Sequence, residues 1–246
     1  MSGLKTIGEV VDAELKGNVR DYIWRKTPSQ TTTIGIWFDL SMSPGMPVPK
    51  YWFDAAPLTA KAIYQSSDGG FYHGPDVTGE KYLRKITTQA SAVTALPMNV
   101  ILCDYLLYYP TIDDGTTDEQ VMDNTVTLPR YTDGKGVQIL AVTVGSRTGG
   151  QQFTISYTNS DGVAGRTTTA VTQNTSTVLG SITGSNRATI NASNPFIGLQ
   201  AGDSGVRSIE SVTMLGVDVG LMSIILVKPL TQTCFREITV PYEKDF

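Results

Sequence analysis

The chain has 246 residues, 24 of them glycine, with charged residues at 17%. That length allows one large β domain or two smaller ones, and the composition is too poor in charge for a helical bundle. A formal net charge of -4 leaves no overall basic field to gather nucleic acid or anionic lipid, which sets direct nucleic-acid binding aside. The two cysteines, Cys103 and Cys234, lie in apolar contexts and read as buried free thiols of a protein made in a reducing compartment.

Residues 1–11 carry charge and no long apolar core, so they do not read as a secretory signal, and no segment approaches the roughly 20 apolar residues of a membrane helix. Leu4, Ile7, Val10, Val11 and Leu15 recur at three- and four-residue steps between Lys5, Glu9, Asp12, Glu14 and Lys16. This is an amphipathic helix, ended by Gly17 and Asn18. Its stripe is expected to pack on the chain's own sheet, and packing on another subunit is the functional alternative. Residues 20–28 mix charge with Tyr22, Ile23 and Trp24 and read as an arm lying over a surface. The division is therefore a helix and arm over residues 1–28 and a β-rich domain over 29–246, with a candidate subdivision near 125–130.

Residues 31–40 are β-branched and aromatic and predict a strand, and residues 41–49, with three prolines, predict an extended loop. Residues 50–56 restart strand-like, residues 66–78 form a turn-rich loop, and Thr78 is placed to cap a short helix through Tyr82, Leu83 and Ile86. Residues 99–109 are apolar on both alternating faces except at Asp104, which predicts a central strand buried on both sides. Asp104 then needs a partner. Residues 111–124 gather Asp113, Asp114, Asp118, Glu119 and Asp123 and read as an acidic surface loop.

The strongest strand signal lies within residues 128–169. Phe153, Ile155 and Tyr157 alternate with Gln152, Thr154, Ser156 and Thr158, the period of a half-buried strand. Asn159, Ser160, Asp161 and Gly162 supply a turn, after which residues 166–169 return antiparallel. A polar Thr/Ser/Asn/Gly tract over 170–192 follows, then strands over 205–214 and 220–230 and a last segment at 237–242. The sum is roughly nine to twelve strands in an antiparallel β-sandwich or jelly-roll-like barrel with a short N-terminal helix or arm.

Candidate chemistry is sparse. Gly202, Asp203, Ser204 and Gly205 imitate the nucleophile loop of chymotrypsin-like proteases, and His73 and Asp104 precede them in that family's chain order. The likeness spans four residues and fails at Val206 and Arg207, so Gly202 to Gly205 read as a β-turn. One histidine and two distant cysteines cannot make a zinc site, and the acidic loop lacks the spacing of a calcium hand. Gly134, Lys135 and Gly136 lack the pattern of a phosphate loop. Trp37, Tyr51, Trp52 and Tyr72 read as core packing before sugar stacking. No catalytic residue, metal or cofactor is assigned, and a non-enzymatic protein is expected.

LPRYTDGKGVQILAVTVG from Leu128, FTISYTNSDGVAGRT from Phe153, SGVRSIESVTM from Ser204 and LMSIILVKPL from Leu221 resemble small virion structural proteins of tailed bacteriophages. The resemblance implies a capsid decoration or cement protein, assembled in the host cytoplasm and resident in the virion. Its implied partners are the major capsid protein and copies of itself, most simply as a homotrimer. A tail, neck or baseplate component, a host-receptor or carbohydrate-binding β protein, and a small major capsid protein are the alternatives. Leu4, Ile7, Val11, Leu15, Trp24, Met46 and Pro47 are the candidate partner-binding residues.

Overall fold

The computed structural model describes residues 4–28, 36–64, 69–72, 81–93, 96–173, 178–183 and 194–245. Expectations resting on residues 31–35, Thr78 and His73, and on part of the 170–192 tract, lie outside them. Helix α1 (Ile7–Leu15) starts in a reciprocal cap: Thr6 accepts from the Glu9 backbone N–H at 3.2 Å, and the Glu9 carboxylate accepts from the Thr6 N–H at 3.0 Å. The strands are β1 (Arg25–Lys26), β2 (Trp37–Phe38), β3 (Gly45–Met46), β4 (Lys61–Ala62), β5 (Lys85–Thr88), β6 (Met98–Asp113), β7 (Gln120–Val121) and β8 (Gln138–Gly145). They continue with β9 (Gln152–Asn159), β10 (Arg166–Thr167), β11 (Val171–Thr172), β12 (Ser181–Thr183), β13 (Val206–Met214), β14 (Leu221–Phe235) and β15 (Tyr242–Asp245).

Two open antiparallel sheets dominate, and neither closes into a barrel. One has the order β2-β12-β8-β14-β6-β4, and the other β10-β9-β13-β7 with β11 also on β9. Their facing sides share a core: Leu107, Tyr109, Ile139, Ala141, Ile224 and Leu226 meet Phe153, Ile155, Tyr157, Ile209, Val212 and Met214. Alternation along β9 holds as the sequence predicts, with Phe153, Ile155 and Tyr157 buried and Thr154, Ser156 and Thr158 turned outward. Tyr109 stitches the sheets together. Its hydroxyl donates to Asn124 Oδ1 at 2.8 Å and accepts from the Ile209 N–H at 3.1 Å, while Asn124 Nδ2 donates to the Ile209 carbonyl at 2.7 Å. That bonding covers the backbone of Ile209 where the β13–β9 register shifts.

The six-stranded sheet is covered on its other face as well. Tyr108, Leu140, Val142, Ile225 and Val227 pack there with Met42, from a single 3-10 turn at Leu40–Met42, Trp52, from irregular chain between β3 and β4, and Ile63, just after β4. Residues 50–56, expected as a strand, are irregular: Trp52 enters this second core with Tyr51 and Phe53 facing out, as in a strand, but the segment joins no ladder among the described residues. Two-sided burial of β6 is confined to its second half. Sixteen residues at about 3.3 Å each make a strand of about 50 Å, and the first half projects past the sandwich paired with the end of β14, from Pro229↔Cys103 to Phe235↔Met98. Strands on either side of residues 125–130 share both sheets, β6 with β14 and β7 with β13.

Three expectations are corrected. The helix through Tyr82, Leu83 and Ile86 is absent: Ile86 lies in β5 and pairs with Lys244 of β15, as suits a β-branched residue beside a free strand edge. Residues 111–124 are not simply a solvated loop. Asp114 is wholly buried against Arg147, with Nε to Oδ2 at 3.5 Å, Gln120 and Val121 add a strand to β13, and Met122 enters the core. The stripe of α1 does not pack on the sheet: no residue of the helix is buried, and Leu4, Ile7, Val11 and Leu15 are exposed at 51%, 84%, 47% and 80%.

These packing differences predict opposite outcomes for two truncations. Phe153→Ala should cost about 3–5 kcal/mol, whereas Ile7→Ala, already in water, should stay within about 0.5 kcal/mol. Urea unfolding of the two variants measures both.

Candidate interaction surface

A surface platform forms where three segments meet: the arm at 22–28, the loop at 41–49 and the short piece at 69–72. β1 pairs with β3, Arg25 opposite Met46 and Lys26 opposite Gly45, and the Thr27 N–H donates to the Pro44 carbonyl at 2.9 Å. Lys26 Nζ donates to the carbonyls of Pro47 at 2.6 Å, Ser43 at 3.1 Å and Ser41 at 3.4 Å. One ammonium thus pins a proline-rich loop that has little ladder bonding of its own. Burial lowers the Lys26 pKa, and the nearby Asp39 charge opposes that shift. Trp24 Nε1 donates to the Gly69 carbonyl at 3.1 Å, and its ring lies 5.7 Å from that of Phe71. Gly45 at φ +139 and Gly69 at φ +79 admit no side chain: a Cβ would strike the carbonyl oxygens of Arg25 and Ser41 respectively.

Asp39 anchors this platform to the sandwich. Its carboxylate accepts from the Ser41 N–H at 2.9 Å, Ser41 Oγ at 2.5 Å, Trp52 Nε1 at 2.6 Å and Tyr105 Oη at 3.0 Å. Trp52 is tied in turn to β14, where Ser223 Oγ donates to its carbonyl at 2.9 Å. Burial raises the Asp39 pKa, and the hydrogen bonds from Ser41, Trp52 and Tyr105 pull against it. Cys103 stands nearby with its thiol pushed up to about 12 by burial and by the charges of Asp39 and Asp104. Both cysteines are free and half-buried, and Cys103 is a poor nucleophile at neutral pH.

The outer face of the platform is apolar. Tyr22, Ile23, Met46, Pro47, Gly70, Phe71 and Tyr72 line a shallow cavity of about 210 Å³. Ile23 is 91% exposed and Met46 74%. Of the candidate residues, the structure brings Met46 and Pro47 into this cavity, places Ile7, Val11 and Leu15 along one exposed side of α1, and leaves Leu4 exposed ahead of the helix cap. Trp24 is part-buried and serves inward, holding the 69–72 segment. The sequence reading missed Tyr22, Ile23, Phe71 and Tyr72 as cavity residues, and no local pattern links positions fifty residues apart. Asp39, which holds the platform in place, was missed for the same reason.

The remaining polar clusters are structural. Asp104 finds its partner in Arg130, which donates from Nη2 at 2.7 Å and Nε at 2.9 Å and also reaches the Tyr105 carbonyl. Asp203 accepts from Tyr157 Oη at 2.6 Å, Asn159 Nδ2 at 2.8 Å and Arg166 Nε at 3.0 Å, while Ser204 Oγ lies 2.9 Å from Ser160 Oγ. Asp104 and Asp203 are both committed to arginines, so the Gly202 to Gly205 segment acts as a locked turn. Among the described residues no three His, Cys, Asp or Glu side chains gather as metal ligands. In the acidic segment Glu119 accepts from Ser211 Oγ at 2.6 Å and Asp123 from the Thr125 N–H at 2.9 Å. Compared with protein-family models, curated proteins and solved structures, the chain matches none.

Two outcomes follow. The Arg166 hydrogen bond, with those of Tyr157 and Asn159, holds Asp203 down to about 2 against roughly 3.9 in the unfolded chain. A lowered carboxylate pKa contributes stability that is present above the unfolded value and is lost as pH falls through the folded one. Melting temperature should therefore drop between about pH 4 and pH 2, and Asp203→Asn should flatten that part of the profile. Asp39→Ala leaves the buried Trp52 N–H without its acceptor and should cost at least about 2 kcal/mol, read by chemical denaturation.

Proposed function

We propose that this chain is a non-enzymatic structural protein of a phage particle that binds and stabilises the capsid shell as a decoration or cement protein. The observation that carries this reading is the exposed apolar stripe of α1, Leu4, Ile7, Val11 and Leu15. A short capped helix that leaves Ile7, Val11 and Leu15 in water, with Leu4 exposed just ahead of its cap, is a contact waiting for another chain. The two-sheet body supplies a rigid support for it, and the likeness of residues 128–145 and 153–167 to phage virion proteins supplies the setting. Its partners on this reading are the major capsid protein and copies of itself, most simply in a homotrimer. Many copies on a lattice add avidity even when each contact is weak.

A second reading rests on exposed aromatic rings. Tyr51, Phe53 and Tyr72 face solvent, as rings that stack on sugars do, and this favours a receptor- or carbohydrate-binding component of the tail or baseplate. Saccharide capture on a glycan array, with no occupancy of purified heads, would support it over the first.

The arm experiment follows from the platform. Residues 22–28 are bonded into the body through Trp24, Lys26 and β1, so the cut belongs after Gly17 and before the arm. Removing residues 1–17 should leave the melting temperature and circular dichroism unchanged while abolishing binding to shells stripped of the protein, measured by co-sedimentation. Undiminished binding would overturn the reading.

A further inference from the structure

The core shared by the two sheets turns polar at one end. Along β8, Ile139 and Ala141 face the five-stranded sheet, and the period of a strand puts Thr143 on the same side. Thr183 of β12 faces that way too, since its neighbour Ile182 belongs to the outer core, and Gln173 follows the inward Val171 of β11. All three are buried. Into this space comes the buried guanidinium of Arg147, whose Nη1 donates to Thr183 Oγ1 at 2.9 Å. Two buried carboxylates join it. Asp114, just past the end of β6, has Oδ2 at 3.5 Å from Arg147 Nε, and Asp218 arrives on the loop between β13 and β14.

This node is one positive charge short. The charged groups acting on Asp114 are Arg147, Asp218 and Asp113, and those acting on Arg147 are Asp114 and Asp218. Asp113 is exposed and accepts from the Gly115 N–H at 2.8 Å, while β8, β11 and β12 bring only hydroxyls and an amide. Hydrogen bonds are short as well. Among the described residues, no protein group bonds either carboxylate oxygen of Asp114, Arg147 Nε or Nη2, either amide atom of Gln173, or Asp218 Oδ2. Buried polar atoms are nearly always bonded, and a buried net charge is costly until something neutralises it.

The loop that carries Asp218 is tied to the node by its backbone. The Asp218 N–H donates to the Asp114 carbonyl at 2.8 Å, the Asp114 N–H to the Gly220 carbonyl at 3.1 Å and the Thr148 N–H to the Val219 carbonyl at 3.2 Å. The same loop holds Leu215, Val217 and Val219 exposed. We infer that Asp114, Arg147 and Asp218 form a buried proton-uptake site, and that the proton bound there seats the aliphatic loop of residues 215–220 on the end of the sandwich.

A proton taken from solvent adds to a lone pair of one Asp114 oxygen and leaves one carboxylate for one guanidinium. The new hydroxyl has an acceptor at hand, because the Gln173 amide stands beside Asp114 with its oxygen unbonded. Burial raises the Asp114 pKa, Arg147 and Gln173 pull it down, and Asp218 and Asp113 add to the rise. A carboxylate whose pKa the fold raises contributes stability that is present below its unfolded value and is lost as pH rises through the folded one. Acid therefore holds the loop, and a rise in pH loosens it through repulsion between Asp114 and Asp218.

The full chain tests this. Hydrogen exchange, corrected for the intrinsic pH dependence of the rate, should show the amides of Asp114, Thr148 and Asp218 gaining protection severalfold from about pH 8 down to about pH 4. Protection that stays flat or falls overturns the inference. Asp114→Asn keeps the shape of the protonated acid and is blind to pH, so it should make that protection constant. It should also raise the melting temperature at about pH 8 by a few degrees, with the gap to the parent closing toward about pH 4. A loss of stability at about pH 8, as removal of a needed ion pair gives, overturns the inference, and if the variant does not fold the exchange series on the parent decides. At equal ionic strength, sodium, potassium and calcium chloride and EDTA should give one melting temperature. Stabilisation by one of these cations that Asp114→Asn abolishes means that a metal ion neutralises the node, and it overturns the assignment to a proton.

Discussion

The six-stranded sheet has to be dry on both faces, and most of the architecture follows from that. From Met222 to Val227 every residue of β14 is buried, so neither face can be left to water. The five-stranded sheet covers one face and completes the sandwich. The other is closed without a third sheet, by Met42, Trp52 and Ile63 arriving from the mostly irregular chain over residues 39–63. Irregular chain over a hydrophobic face brings unpaired backbone groups with it, and each needs a partner.

Asp39 and Lys26 answer that need from opposite directions. The carboxylate gathers donors from Ser41, Trp52 and Tyr105, and the ammonium gathers the carbonyls of Ser41, Ser43 and Pro47. Between them they organise a proline-rich loop by charge-assisted hydrogen bonds, which are stronger than neutral ones. Burying either charge is costly, and the raised Asp39 pKa and lowered Lys26 pKa register that cost. The loop shape so defined places Met46 and Pro47 beside Tyr22 and Ile23, so the apolar cavity is a consequence of the polar node beneath it.

Apolar surface that the fold leaves in water lies at α1 and at the platform, while Asp104 with Arg130 and Asp203 with Arg166 are hydrogen-bonded pairs and Asp114 is buried against Arg147 at 3.5 Å. A buried ion pair such as Asp114 with Arg147 adds little net stability over an apolar packing, yet it closes the end of β6 against the loop after β8 and thereby sets where the sandwich ends.

Much of the fold was legible in the residue order. The alternation at Phe153, Ile155 and Tyr157, the double-sided apolar run that became β6, the turn at Asn159 to Gly162 and the helical period of α1 are all local patterns. Backbone geometry converts such patterns directly into which side a residue faces. Asp104's need for a partner was also legible, since a carboxylate inside an apolar run cannot stay unpaired. Tertiary structure alone decided that the partner is Arg130, that Asp114 leaves the acidic loop for Arg147, that residues 50–56 join no ladder while Trp52 is buried, and that α1 keeps its stripe in water. Each of those outcomes depends on contacts between positions far apart in the chain, and periodicity carries no information about what will lie opposite a face. The cavity of Tyr22, Ile23, Met46, Pro47, Phe71 and Tyr72 is of the same kind, assembled from three segments that only the folded chain brings together.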